Sequence, residues 1–121
     1  MKGKTSFSYD YILFMELIYE YDETQQETVE AKIKRRLKYN NLAPYDQNRV
    51  NYVRSFKKAL SEEIRLLSRS KYFEKTLSKY AQVKDFDVEQ MTTDYSAIYP
   101  ELSIKEIRSM VGFGVHWFYT R

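Results

Sequence analysis

Cations at regular helical spacing are the residues in this sequence best suited to chemistry, and the chemistry is phosphate binding. At about 100° per residue, Arg54, Lys58, Arg65 and Arg69 fall within about 60° of one another on a predicted helix. They lie opposite an apolar face of Val53, Phe56, Leu60, Ile64 and Leu67. The spacing predicts a basic ridge ~22 Å long, able to track a run of phosphates through planar arginine forks and counterion release. A second cluster precedes it. Lys32, Lys34, Arg35, Arg36 and Lys38 put five cations into the stretch KIKRRLK. Read along the chain, they spread around a second helix. Lys34, Arg35, Arg36 and Lys38 form a second expected phosphate contact, although cations near a helix C-terminus also complement the macrodipole, which is a purely structural reason for them. Tyr39, Tyr45, Tyr52, Tyr72 and Tyr80 are interleaved with these charges; aromatic faces of this kind stack on unpaired bases or, more commonly, sit at the margin of a core.

Catalysis and metal binding have no comparable constellation. His116, the one histidine, stands between Val115 and Trp117 in the most apolar segment and is expected as a buried, hydrogen-bonded core residue. Arg108 and His116 faintly resemble the arginine-to-histidine motif of the HEPN ribonucleases. Seven residues intervene, more than that motif has, and on one helix the two would stand ~12 Å apart, so no nuclease is expected. Asp85, Asp87 and Glu89 lack the spacing of a calcium loop and read as acids at a helix start. With one histidine and no cysteine, neither a structural zinc site nor a disulfide framework is expected, and no phosphate-cradling glycine loop is present. The expectation is a non-enzymatic chain without cofactor or metal.

The elements that must position these residues follow from 3.6-residue periodicity. Apolar spacing predicts helices over about 9–21, 24–39, 47–69, 73–80, 88–98 and 103–119, with the fourth short. Asp22 or Thr24, Asp46, Asp87 and Ser103 are the expected caps, and Ser103 with Glu106 has capping-box spacing. Asn40, Asn41 and Pro44 interrupt the pattern after the second helix, and Pro100 follows the fifth. Gly112 and Gly114 sit within the last helix, where close approach of another helix would account for them. The alternation of Val111, Phe113, Val115, Trp117 and Tyr119 also suits a strand. The fifth and sixth helices, joined by YPEL, read better as an αα-hairpin than as a DNA-reading helix-turn-helix, because the segment is acidic. The predicted fold is all-α, a compact single-domain bundle of five or six helices over residues 1–121. Residues 1–8 form an expected flexible lead-in, onto which Phe7 can fold back, and the first and last helices form the interior.

Composition bounds the function. Aromatic content is 17% with three glycines and two prolines, which favours long helices with a real core over disorder. The net charge of +3 conceals a partition: residues 1–30 carry a net −5, residues 31–84 a net +11, and residues 85–121 a net −3. The apolar run Tyr11–Tyr21 is too short to span a bilayer and contains Glu16 and Glu20, so no membrane partner is expected and the chain reads as cytoplasmic. Two functions remain. The first is a small regulatory or accessory protein that binds DNA or RNA through the basic middle segment. The alternative is a protein-interaction module, an adaptor, inhibitor or homodimer, using the apolar last helix, with Glu23, Glu27 and Glu30 lying against the third helix and masking its ridge.

Overall fold

The structure, a computed structural model, describes residues 8–120; the expected lead-in, including Phe7, lies outside the described residues. Its architecture is all-α, with five α-helices and, among the described residues, no strand beyond one isolated bridge. The chain divides into two units, residues 1–57 and 58–121.

In the first unit, α1 (Tyr9–Leu17) starts where the Ser8 hydroxyl accepts the Tyr11 amide at 3.2 Å. It buries Ile12, Leu13, Phe14 and Leu17, as its apolar composition requires. The helix was expected to reach Tyr21. It stops four residues earlier because the amides of Tyr19 and Glu20 take the tighter bonds to Glu16 and Leu17, which turn the chain. Asp22 then caps a 3-10 turn, accepting the Thr24 amide while Gln25 reaches back to the Asp22 amide at 3.1 Å. That turn runs into α2 (Gln26–Tyr39), whose buried residues are the expected Val29, Ile33 and Leu37.

The end of α2 is tightly tied. Asn41 takes the left-handed conformation at φ 57°, its amide bonds to Lys38 O and the Leu42 amide bonds to Leu37 O at 2.9 Å. These are the two bonds of a Schellman ending, with asparagine in place of the usual glycine. Asp46 then caps α3 (Gln47–Arg65), accepting the Arg49 amide at 3.2 Å. Val50, Val53 and Phe56 are buried, and the Phe56 ring lies 5.8 Å from that of Phe14.

In the second unit, α3 buries Leu60 and Ile64 and ends at Arg65 rather than at 69. Leu67 adopts φ 54°, which no α-helix can accommodate, and a 3-10 turn follows over Leu67–Arg69. The expected helix over 73–80 does not form. Backbone groups there are claimed elsewhere: Glu74 N bonds to Asp85 O and Asp87 N to Tyr72 O around the Phe73–Phe86 bridge, while the Asp85 carboxylate takes the amides of Thr76 and Gln82. Phe73 packs edge-on against Phe86 and Tyr119, and Leu77 is fully exposed.

Asp87 caps α4 (Val88–Ile98), and Ser103 caps α5 (Ile104–Val115), accepting the Glu106 amide at 3.1 Å. The two helices pack together, as an αα-hairpin requires. Residues 111–115 are helical, so the strand reading of that segment is set aside, and residues His116–Thr120 form a π-type turn. A Cβ on Gly114 would lie 2.7 Å from Leu60 Cδ2, so this glycine lets α3 and α5 approach; a Cβ on Gly112 would meet nothing.

Candidate nucleic-acid interface

The expected ridge on α3 is not a continuous free stripe. Arg54 is gripped by two carboxylates of its own unit, one after the end of α1 and one on α2: Nε and Nη2 donate to the two oxygens of Glu20 at 2.7 and 2.9 Å, and Nη2 also reaches Glu30 at 2.8 Å. Hydrogen bonding to Glu20, then to Glu30, holds the guanidinium above its ordinary range, so its charge is already balanced. Lys58 is exposed, and the Arg65 guanidinium lies over the Phe118 ring at 5.2 Å. Arg69 is also exposed but follows the end of α3, so the helical projection that aligned it with the others does not extend to it. The masking was partly foreseen: Glu30 does reach Arg54, whereas Glu23 and Glu27 are exposed.

The cations of α2 are arranged differently. Arg36 is half-buried and donates to Glu16 at 2.9 Å, and the Lys34 ammonium sits over the Tyr45 ring at 4.8 Å. Lys32, Arg35 and Lys38 are exposed, and no described residue forms a hydrogen bond or ion pair with the side chain of any of them. With Lys34 included the five cations cover more than half of the helix, as expected. On the helical wheel Lys38, Arg35, Tyr39, Lys32 and Arg36 occupy one arc of about 160°, next to the buried stripe of Val29, Ile33 and Leu37. Arg36 borders that stripe, which explains its burial.

Tyr39 completes this face. Its residue is 89% exposed, although an aromatic ring normally buries much of its area. Together with Glu16, Lys32, Arg35, Arg36 and Lys38 it lines a shallow hollow of about 610 Å³, walled mostly by aliphatic stems and the ring. In the sequence Lys32 falls outside the expected phosphate contacts, and Tyr39 is only one of five tyrosines able to stack. The signal for them was present, because 32, 35, 36 and 39 recur at steps of three and four.

Several titratable groups elsewhere have structural roles. Asp85 is fully buried; burial opposes its charge, but hydrogen bonds from the Tyr119 hydroxyl at 2.6 Å and from Thr76 and Gln82 hold the carboxyl well below the usual range. Lys75 adds an ammonium 3.7 Å away. Asp87 caps α4, and Glu89 pairs with Arg108 at 3.1 Å. His116 is exposed, against the expectation of a core histidine, and its Nδ1 lies 3.1 Å from Thr120 Oγ1. Helical spacing sets His116 opposite the buried face of Ile107, Met110, Val111, Gly114 and Val115, so its apolar chain neighbours are no guide to its burial. Among the described residues no three histidine, cysteine or acidic groups cluster in a way that could hold a metal, and no helix is long and apolar enough to cross a membrane.

No protein-family model matches this chain, and no curated protein or solved structure does.

Proposed function

We propose that this chain is a non-enzymatic nucleic-acid-binding protein whose contact is the exposed face of α2, not the ridge on α3. The observation that carries the reading is the state of Lys32, Arg35 and Lys38: exposed, without an ion-pair partner among the described residues, and beside an exposed tyrosine ring. Three free cations on one face supply sequence-independent attraction to phosphates, which charges already paired to carboxylates supply less readily. Lys38 near the helix end also complements the macrodipole, but Lys32, one turn and a half earlier, has no such reason to be there.

The test is fluorescence anisotropy with a labelled oligonucleotide at low salt. The double charge reversal Arg35→Glu with Lys38→Glu is expected to remove binding while circular dichroism stays unchanged. Unaltered affinity would overturn the reading.

A protein-interaction module is the second reading, favoured by Ile98 at 63% and Ile104 at 53% exposure, at the end of α4 and the start of α5. Light scattering separates the two, since this reading expects a complex that resists high salt and ignores oligonucleotide.

A further inference from the structure

We infer that the nucleic acid held by the α2 face is single-stranded, with an unpaired base stacked on the Tyr39 ring. The inference rests on the reading of α2 as a nucleic-acid contact and goes beyond it by naming the form of the ligand.

Three features converge on it. First, Tyr39 has no described ring or cation against it, and the hollow beside it is large enough for a flat, base-sized group. Every base has a π-face, so such a platform takes any sequence, but only when the base has left the stack of a duplex. Secondly, the charges divide the face into two kinds of place. The Glu16 carboxylate, held by Arg36, stands in the wall of the hollow and disfavours a phosphate there, whereas Lys32, Arg35 and Lys38 offer free cations around it. An uncharged base in the hollow with phosphates on the surrounding cations satisfies both. Thirdly, the ring is mounted on a fixed support. The Asn40 side chain donates to Arg36 O at 2.8 Å, and the Asn41 and Leu42 amides close the last turn, so the residue that carries the platform is held before any ligand arrives.

A duplex has its base faces covered and only its phosphates available, and its greater charge density would otherwise make it the tighter ligand. The order of affinities therefore tests the inference. Anisotropy is read with the full chain and three labelled probes of equal length: an oligothymidylate, an oligouridylate and a duplex. Both single strands, which share the stacking face and the phosphate, are expected to bind several-fold tighter than the duplex. Tyr39→Ala is expected to weaken single-strand binding about tenfold and to leave duplex binding unchanged, and Tyr39→Trp to preserve it. If Tyr39→Ala has no effect on single strands, or the duplex binds as tightly, the stacking inference fails; the wider reading still stands when Arg35→Glu with Lys38→Glu removes all binding. If that charge reversal changes nothing, or if polyglutamate competes as well as unlabelled oligonucleotide, the nucleic-acid reading fails with it.

Discussion

The guanidinium of Arg54 closes a two-pronged bond onto the carboxylate of Glu20, with Nε on one oxygen at 2.7 Å and Nη2 on the other at 2.9 Å. The pair is largely withdrawn from water, with the Glu20 side chain 7% exposed. Position on a helical wheel made Arg54 a candidate phosphate ligand, and its partners make it a brace.

Arg54→Met is accordingly expected to leave Glu20 buried without its partner and to destabilise the chain by about 2 kcal/mol in urea denaturation. That is below the usual loss for a broken buried pair, because Arg54 keeps some contact with water. Oligonucleotide affinity is expected to stay within about twofold. A large loss of affinity with full stability would return Arg54 to the binding face.

The hydrogen bond from Tyr119 to Asp85 gives stability a dependence on pH at both ends. The Asp85 carboxyl is held below its ordinary range, so its contribution is fully present above about pH 4 and is lost as pH falls through the depressed value. Tyr119 is shifted the other way: burial first, then its bond to Asp85, raise it from 10.0 to about 12. Its contribution is complete below pH 10 and is lost as pH rises towards 12. Tyr119→Phe is expected to lower stability at neutral pH and to flatten the alkaline loss. The measurement is the difference between the two proteins in chemical denaturation across pH, because other tyrosines also titrate there. Parallel curves would show that the bond does not form.

The two glycines of α5 are expected to respond in opposite directions. Gly112→Ala adds a methyl into open space and removes a flexible residue from a helix, a gain of about 0.5–1 kcal/mol. Gly114→Ala gains the same propensity but drives a Cβ to within 2.7 Å of Leu60, which is fully buried and must shift within a packed core. Overpacking of this kind outweighs the propensity and leaves a net loss of about 1 kcal/mol. Thermal melts of the two variants, compared with the parent, check both signs.

What could be read from the residues divides along the range of the interactions involved. Helices α4 and α5 begin where their caps predict, because Asp87 and Ser103 act on amides three positions away, whereas Asp22 caps the 3-10 turn ahead of α2, whose own start has no side-chain cap. The segment over 73–80 was misread for the converse reason. Phe73, Leu77 and Tyr80 have helical spacing, but the backbone there answers to Asp85, nine residues beyond Thr76 and outside the reach of a helical turn, and Leu77 points into water. The same limit applies to the candidate site. A wheel finds which cations share a face, and only tertiary structure says that Glu20 and Glu30 neutralise Arg54 while nothing described neutralises Arg35. Tyr39 was hidden among many tyrosines, since exposure, not residue type, distinguishes it.

The salt dependence of binding separates the α2 face from the wider basic region. If Lys32, Arg35 and Lys38 are the cations that neutralise phosphates, the log-log slope of affinity against salt on a single strand is expected to be roughly −2, from about 0.7 per phosphate. Were Arg54, Lys58, Arg65, Arg69, Lys34, Arg35, Arg36 and Lys38 all engaged, the slope would be roughly −5 to −6 by the same rule. Lys38→Ala is expected to make the slope shallower by roughly 0.7, whereas Tyr39→Ala lowers affinity at every salt concentration and leaves the slope unchanged, because stacking releases no counterions. A steep slope that persists in the Arg35→Glu, Lys38→Glu protein would move the interface away from α2.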